Sequence, residues 1–359
     1  GSYGTYTLKD GDAIAAHGDI GLAVHSIDRY DAANNKCGIY KVVLKVNDQV
    51  QYSAVFDRLN FETNRYMNAH IDYNLFKKYR KHYHRLFKTE NNPLDIYKTL
   101  VNNGALDCRK DENLNCQLEI SDFEGNISTL NFQIKSQATP YKRASTHNPN
   151  RHKVNALSPF EWKGSFSSVS IPAKTLYFSD ELEFEEFEHN GLPALQVGDE
   201  YTGAQNSFSL ALKIPENIPN ELHSKILLGK IAANNRVQAD NAGEAKQGWF
   251  YAKNREFGKY TLIIDTINPN IKAIGMWEGK ELRNGNKIRF IIRDGQSGVN
   301  DYNLYIDGNW ALLEYDYRKA AVVYEFDAGR VSPGDHTLKI VISDKVGNEE
   351  SLEYNFKSY

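Results

Sequence analysis

The chain has 359 residues, of which 41% are hydrophobic and 25% charged, a balance typical of folded soluble domains. Its 43 Lys and Arg nearly match its 46 Asp and Glu, so the formal net charge of −3 argues against general attraction to nucleic acid or to an anionic membrane. No run approaches the roughly 18 apolar residues that a membrane span needs, and the length predicts three domains. Gly1-Ser2 resembles the remnant of a cleaved tag, so we expect the natural polypeptide to extend upstream.

The first predicted domain, residues 3–137, contains several short runs that alternate apolar and polar positions. The runs IGLAVHSID and GIYKVVLKV have the period of two expected of strands with one buried face. Further along, CQLEISDF and STLNFQIK are separated by Glu124-Gly125-Asn126, a sequence typical of a tight turn. This pattern predicts an immunoglobulin-like β-sandwich.

Residues 62–104 interrupt that pattern and read as a helical insert. Apolar residues follow a helical spacing in NLFKKYRKHYHRLF and PLDIYKTLVNNG, at Leu75, Tyr79, Leu86, Ile96 and Leu100. We predict two short helices, the second with Pro93 in its first turn and Gly104 at its end. The insert is expected to protrude from the sandwich and to be dispensable for folding.

The first predicted helix carries a dense basic run without an acidic residue. Six cations interleave with tyrosines, and the candidate binding residues are Lys77, Lys78, Tyr79, Arg80, Lys81, Tyr83 and Arg85, with Lys88 following. Two interpretations remain open, a docking surface for an anionic partner and the solvated polar face of an amphipathic helix. Nucleic acid is not predicted as the partner, because its electrostatic footprint normally covers a whole face or domain.

A repeat relates the two ends of the chain. The run ISDFEGNISTLNFQIK at 120–135 returns as ISDKVGNEESLEYNFK at 342–357, and CGIYKVVLKVND returns as SGVNDYNLYIDG. The third predicted domain, 267–359, is therefore immunoglobulin-like as well, while the second, 138–266, has a different strand pattern. A short junction with Pro269 predicts a stiff connection between these two domains.

The predicted fold class is thus all-β, a tandem of three β-sandwich domains. The first and third are immunoglobulin-like, and the first carries the helical insert at 62–104.

One cysteine pair and one histidine pair have the spacing of a possible disulfide or metal site. Cys108 and Cys116 bracket the hydrophilic run RKDENLN, so a cross-strand disulfide and two unrelated reduced thiols are both open. His82 and His84 share one face only on a strand, and a helix turns them apart. No zinc site is therefore predicted.

Oxygen ligands for an interdomain calcium are conceivable at the second junction. They would come from Asp265, Asn268, Asn270, Asp294 and Asp344. The same residue types are common in turns at strand ends, so the alternative is ordinary turn chemistry. No metal and no other cofactor is assigned.

No local signature of an enzyme occurs in the chain. Gly-x-Ser-x-Gly, the phosphate loop, the dinucleotide fingerprint and His-Glu-x-x-His are all missing from the sequence. However, the run CGIYKVVLKVNDQVQYSAVFDRLNFETNRYMNAHIDYNLFKKYRKHYHRLF, with DIYKTLVNNG and ISDFEGNISTLNFQIK, resembles the region downstream of the peptidase domain in lysostaphin-type zinc endopeptidases of Bacteroidota. The likeness extends through the third domain with GDHTLKIVISDKVGNE.

The resemblance implies a non-catalytic region of a peptidoglycan hydrolase. The family's zinc motifs are not present, His17 and His25 do not lie in them, and no catalytic role is carried over to any residue. The implied role is a scaffold that positions a hydrolase or docks onto an envelope protein complex, in the periplasm or at the outer membrane. The alternatives are a module that binds glycan or peptidoglycan through exposed aromatics of the insert, and an enzyme with an unrecognised active site.

Overall fold

The computed structural model describes residues 4–9, 11, 13–29, 35–139 and 148–359. Three β-sandwich domains follow one another, each around its own hydrophobic core, and the first and third are immunoglobulin-like. The predicted fold class is confirmed, since helix is confined to short segments. Within the described ranges, no helix has the length and apolar character needed to cross a bilayer.

The first domain is built on one large sheet with small pairs of strands packed around it. Its strands β1 to β13 are Thr5–Tyr6, Ala13–Ala16, Gly18–Ile20, Ala23–His25, Asp28–Arg29, Lys36–Cys37, Lys41–Val46, Gln49–Val55, Tyr83–Arg85, Tyr97–Leu100, Leu106–Cys108, Glu112–Ser121 and Ile127–Ser136. Helices α1 and α2 are Met67–His70 and Tyr73–Tyr79, and 3₁₀ turns are at Asn64–Tyr66 and Asn102–Gly104. The large sheet runs β1-β13-β12-β7-β8-β10 with β2 also on β13, and β11–β3, β4–β9 and β5–β6 form the pairs.

The long hairpin of β12 and β13 explains the first domain's sequence pattern. Leu114, Cys116 and Leu118 are buried at every second position of β12, because successive side chains of a strand point to opposite faces. Between the two strands Gly125 has a φ of +89°, a conformation that disfavours residues with a Cβ. The predicted turn is therefore confirmed.

The predicted insert is part of the first domain's core, and its expected dispensability is wrong. Leu86, Leu94 and Ile96 are at most 3% exposed and belong to the same apolar cluster as the strands of the large sheet. Strand β10 also forms the edge of that sheet, with Thr99 opposite Ser53. Removing 62–104 would therefore take away core side chains together with an edge strand.

Of the two predicted helices, only the first is confirmed, and it is short. Helix α2 begins after Asp72, whose Oδ1 accepts a hydrogen bond from the Leu75 N–H at 3.0 Å, and ends at Arg80 with φ 55°. The second predicted helix is wrong, because Tyr97–Leu100 pairs with β8 as strand β10. The β-branched residues Thr99 and Val101 favour that extended backbone.

The second domain is a sandwich of a six-stranded and a five-stranded sheet. Its strands β14 to β24 are Arg151–Val154, Phe160–Lys163, Ser167–Ile171, Asp180–His189, Leu192–Val197, Phe208–Lys213, Ile226–Ile231, Val237–Ala242, Glu244–Lys246, Trp249–Asn254 and Gly258–Ile264, with a 3₁₀ turn at Asn220–Lys225. The sheet orders are β14-β17-β18-β24-β20-β21 and β15-β16-β19-β23-β22. Aromatic side chains fill the space between them, and Phe208 stacks on Phe257 with ring centroids 4.7 Å apart.

The third domain is a sandwich of a four-stranded and a five-stranded sheet. Its strands β25 to β33 are Asn270–Ile274, Lys280–Leu282, Lys287–Arg293, Val299–Ile306, Asn309–Ala311, Glu314–Asp316, Ala321–Glu325, Gly334–Asp344 and Glu349–Ser358. The sheet orders are β25-β27-β31-β30 and β26-β33-β32-β28-β29.

The repeat seen in the sequence is also a repeat of strand register. Ile120 lies opposite Ser128 in the first domain, and the equivalent Ile342 lies opposite Glu350 in the third. The two hairpins are closed in the same way: the carboxylates of Asp122 and Asp344 each accept the backbone and side-chain N–H groups of an asparagine four residues later.

Candidate functional site

The structure divides the predicted basic run into an exposed part and a buried part. Lys77, Lys78 and Tyr79 end helix α2, whereas Tyr83 and Arg85 lie on strand β9. The exposed residues are Lys78, Tyr79, Arg80 and Lys81, while Lys77 and Tyr83 are partly covered. The predicted single helical face is therefore wrong, because α2 stops at Arg80 and the chain then pairs with β4.

Arg85 is a buried structural cation, which corrects its assignment as a surface binding residue. It is 5% exposed, and its guanidinium donates to the Ala69 carbonyl at 3.2 Å and pairs with Asp72 at 3.4 Å. The guanidinium also lies 4.8 Å from the ring centroid of Phe178 in the second domain. Burial lowers the pKa of Arg85, and the Asp72 carboxylate opposes that change.

Lys77 lies within electrostatic reach of the second domain. The pKa of Glu256 is lowered chiefly by its hydrogen bond from Lys230 and further by the charge of Lys77. The ammonium of Lys77 is also 5.7 Å from the centroid of the Tyr73 ring. Lys77 is thus influenced by other groups of this chain.

His84 belongs to a buried polar cluster and not to a histidine pair with His82. The Nε2 of His70 and Nδ1 of His84 are 3.1 Å apart, and Nδ1 of His70 is 3.4 Å from the Tyr97 hydroxyl. Burial lowers the pKa of His70 to about 3 and that of His84 to about 4, so both rings are neutral at pH 7. His82 is exposed and packs on Phe76.

Cys108 and Cys116 are free, buried thiols, and the hairpin expected to join them is not formed. Strand β11, which holds Cys108, pairs with β3, whereas β12, which holds Cys116, pairs with β13 and β7. The two residues therefore do not face each other across a ladder. Burial raises the pKa of Cys116 to about 11, so its thiol stays protonated and unreactive at neutral pH.

The insert of the first domain is bound to the second domain by buried polar contacts. The Asn91 side chain, on a residue 5% exposed, donates to the carbonyls of Leu176 at 2.8 Å and Lys174 at 3.1 Å. Its backbone N–H donates to the Tyr177 carbonyl at 3.2 Å. Beside this contact is a cavity of about 220 Å³ lined by charged and aromatic residues, among them Arg85, Arg151, Asp180, Asp199 and Tyr201.

At the junction of the second and third domains, three aspartates converge. Asp265 follows β24, Asp294 follows β27, and Asp344 ends β32. One carboxylate oxygen of each lies within 4.8 Å of the others, and Asp265 and Asp344 are at most 1% exposed. Asn268 and Asn270, also considered as calcium ligands, are exposed.

Buried side-chain amides and carboxylates join the two domains around these aspartates. Asn348, 7% exposed, donates from its side chain to the Asp265 carbonyl at 2.9 Å and to Asp344 Oδ2 at 2.7 Å. Across the junction, the Ser297 N–H donates to Asp265 Oδ2 at 2.9 Å. The predicted stiff connection thus has a physical basis in buried hydrogen bonds.

Three buried oxygens in the loop after β27 have no hydrogen-bond partner in the described chain. They are Asp294 Oδ2, Gln296 Oε1 and Ser297 Oγ. A buried polar atom without a partner is costly, so each such atom calls for an explanation. The sequence alone named all three aspartates as conceivable calcium ligands, with ordinary turn chemistry as the alternative, but it gave no signal for Gln296 or Ser297.

The third domain has an aromatic groove that sequence reasoning did not identify. A cleft of about 750 Å³ is lined by Trp310, Asp307, Arg330 and His336, among other residues. Trp310 is 60% exposed, and its indole N–H donates to Asn303 Oδ1 at 3.1 Å. His336 Nδ1 contacts Asp307 Oδ2 at 2.6 Å, a hydrogen bond that raises the pKa of His336.

Comparison with known proteins gives a domain-level match. The model of the Zu5-like domain family matches residues 151–265, which is the second domain. No curated protein matches the chain.

Several solved structures are similar to parts of the chain. An endo-β-1,4-mannanase from Thermotoga petrophila shares 14% identity over 26% of this chain and 20% of its own, with a TM-score of 0.24. Fibronectin(III)-like modules of Clostridium thermocellum CbhA share 11% identity over 43% of this chain and 85% of their own, with a TM-score of 0.22. SGBP-B of the Bacteroides ovatus mixed-linkage glucan utilization locus was solved with a mixed-linkage heptasaccharide. It shares 8% identity over 99% of this chain and 68% of its own, with a TM-score of 0.16. TM-scores this low carry no functional information.

Proposed function

We propose that this chain is a non-catalytic scaffold region of a cell-envelope protein. In this role it corresponds to the region downstream of the peptidase domain in lysostaphin-type endopeptidases of Bacteroidota, which its sequence resembles. It positions a peptidoglycan hydrolase or docks onto an envelope complex, in the periplasm or at the outer membrane.

The observation that carries the proposal is the pair of buried junctions. A scaffold has to hold its domains in fixed orientations, and flexible tethers between domains would not do so. Here Asn91 joins the first domain to the second, and Asn348 joins the second to the third, each through a buried amide that donates to carbonyls across the junction. Such contacts are costly to break, because the carbonyls lose their donors.

The proposal carries no catalytic role over to the histidines of this chain. A peptidase zinc centre needs neutral histidines and an open position for water. In this chain His84 contacts His70, and the triad of candidate ligands found in the described ranges consists of aspartates alone. Carboxylate oxygens without histidine suit a hard cation better than a catalytic zinc.

The exposed part of the basic run is the proposed docking surface. Lys78, Arg80 and Lys81 are exposed beside Tyr79, at the C-terminal end of helix α2. A partner with carboxylates, such as an acidic protein face or the peptide stems of peptidoglycan, would complement these charges.

Incubation of the chain with purified sacculi and zinc tests the non-catalytic assignment. We expect no soluble muropeptides above a heat-inactivated control, because the family's zinc ligands are missing. Muropeptide release that requires the folded chain would overturn the proposal and favour an unrecognised active site.

Glycan binding is a second candidate, favoured by the groove of the third domain. Sugar rings present flat apolar faces and many hydroxyls, which fit an exposed indole flanked by charged groups. Trp310 beside Asp307, Arg330 and His336 provides that combination. This candidate glycan surface is on the third domain, whereas the alternative drawn from the sequence used the aromatics of the insert, where Tyr79 is exposed.

Co-sedimentation with sacculi separates the two surfaces. Trp310→Ala should reduce the bound fraction if the groove binds glycan, whereas Trp277→Ala should not. Trp277 is a matched control because it is 57% exposed on the same domain and does not line the groove. A triple change of Lys78, Arg80 and Lys81 to Gln should reduce binding instead if the basic surface docks, and more strongly at low salt.

A further inference from the structure

We propose that the junction between the second and third domains binds one Ca²⁺ ion through Asp265, Asp294 and Asp344. The inference shares the second junction with the proposed function but does not rest on it, because it concerns how two domains are held together and not what the chain docks onto.

The first argument is charge. Three carboxylates meet with oxygens within 4.8 Å of one another, and two of them are almost fully buried. Like charges at this separation repel strongly where water is excluded. Within the described ranges, none of the three forms an ion pair with a Lys, Arg or His side chain. A bound cation would remove the repulsion.

The second argument is the set of buried oxygens without partners. Ser297 is only 5% exposed, and its hydroxyl has no hydrogen-bond partner although its own N–H contacts Asp265 Oδ2. Asp294 uses Oδ1 to accept the N–H groups of Gln296 and Gly298, which leaves Oδ2 buried and unpartnered. Oxygens in this state are ready ligands for a cation, and Gln296 Oε1 is a further one in the same loop.

The donor set favours Ca²⁺ over other metals. All candidate ligands are oxygens, so neither the nitrogen nor the sulfur preferred by zinc is present. Ca²⁺ accepts six to eight oxygens in irregular geometry, while Mg²⁺ requires a near-ideal octahedron and keeps several waters. A site built from three carboxylates, one in a loop and two at strand ends, suits the larger ion.

The ligands come from both domains, so the ion would join them. Asp265 belongs to the last strand segment of the second domain, and the other two aspartates belong to the third. An ion that binds the folded junction but not the unfolded chain stabilises the folded state by mass action. A lysine could neutralise the carboxylates in place of an ion. The candidate is Lys345, whose Nζ lies 3.8 Å from the position that a Cβ would take on Gly298.

The experiment begins with the full chain dialysed against chelator and then against metal-free buffer. Titration with CaCl₂ in a calorimeter should show one ion per chain, and saturating Ca²⁺ should raise the melting temperature by several degrees. Mg²⁺ at the same concentration should give a clearly smaller shift. Asp294→Asn should weaken Ca²⁺ binding by about tenfold or more, since even indirect ligand contacts carry 10–100-fold effects.

Asp122→Asn is the matched control. Asp122 closes the equivalent hairpin of the first domain with Asn126, as Asp344 does with Asn348, but it belongs to no carboxylate triad in the described chain. This control should bind Ca²⁺ like the wild type, whereas Asp344→Asn should not. If Asp294→Asn or Asp344→Asn fails to fold, Ser297→Ala replaces it in the test, because this variant leaves every carboxylate in place.

Two results would overturn the proposal. The first is the lack of both binding heat and a melting shift in the wild type at millimolar Ca²⁺, which would assign the neutralising role to Lys345. The second is unchanged Ca²⁺ affinity in the folded Asp294→Asn or Ser297→Ala variant. Equal responses to Mg²⁺ and Ca²⁺ would overturn the choice of ion.

Discussion

At the scale of single residues, burial decides which members of a sequence motif are available for function. Arg85 and Lys81 belong to the same basic run, yet one is 5% exposed and paired with Asp72 while the other faces solvent. His82 and His84 differ in the same way, because His82 precedes strand β9 and is exposed, whereas His84 lies within the strand and is buried. The sequence identifies the residue types, but the pairing partner of β9 determines which side is covered.

The buried histidines predict acid sensitivity of the first domain. The folded-state pKa values of about 3 for His70 and about 4 for His84 lie below the unfolded value near 6.5, so below that pH the unfolded chain binds protons that the folded chain does not. Stability should therefore fall as the pH drops from about 6.5 towards 4, by about 2 kcal/mol per histidine between pH 7 and pH 5. Urea unfolding at the two pH values measures the loss.

His84→Gln should reduce that pH dependence, because glutamine keeps a polar group next to His70 but does not titrate. His82→Gln is the control, since His82 is adjacent in sequence and exposed. If both variants and the wild type lose the same free energy of unfolding between pH 7 and pH 5, the buried pair does not cause the acid sensitivity.

At the scale of elements, the sequence predicts what is locally encoded. The β12–β13 and β32–β33 hairpins follow from strand alternation and from a turn closed by aspartate and asparagine four residues apart, so their strands could be predicted. Strand β10 could not, because its conformation depends on pairing with β8. The same holds for Cys108 and Cys116, whose strands join different partners. The three aspartates were conceivable as a group from the sequence, but their convergence depends on how distant strand ends assemble.

Gly104 tests how closely the end of the insert packs on Leu86 and Phe87 of the same segment and on Tyr52 of strand β8, whose Cδ2 would lie 3.0 Å from an added Cβ. It has φ +87°, and a Cβ there would lie 2.4 Å from the Leu86 carbonyl oxygen and 2.8 Å from Phe87 Cα. Gly104→Ala should therefore destabilise the domain by more than the roughly 1–3 kcal/mol of backbone strain alone. Urea unfolding of the variant measures the loss.

Gly125→Ala isolates the strain, because Gly125 has φ +89° but nothing within 4 Å of the added Cβ. The difference between the two variants then reports the packing of the insert against its neighbours. Similar losses of stability in both would mean that the neighbours of Gly104 move aside for the added Cβ at little cost, which would contradict close packing at this position.

At the scale of the whole molecule, the junctions determine whether three sandwiches act as one body. The insert connects the first domain to the second, because it contributes core residues to the former and contacts the latter through Asn91 and Arg85. The second junction uses Asn348 and the aspartates. Each domain has its own core, so the coupling between them rests on a small number of buried polar contacts.

Asn91→Ala should uncouple the first two domains while leaving each folded. The change removes the side-chain donor to the Leu176 carbonyl, at a cost of about 1–3 kcal/mol for a buried acceptor that loses its partner, and one of two side-chain donors to the Lys174 carbonyl. Calorimetry should then resolve separate transitions, and small-angle scattering should show a larger radius of gyration. Asn206→Ala is the control, because the exposed Asn206 side chain donates to the same Lys174 carbonyl from within the second domain. Identical melting transitions and radii of gyration for Asn91→Ala and Asn206→Ala would contradict a fixed junction. The hydrogen bonds across the two domains would then contribute no more than the hydrogen bond within the second domain.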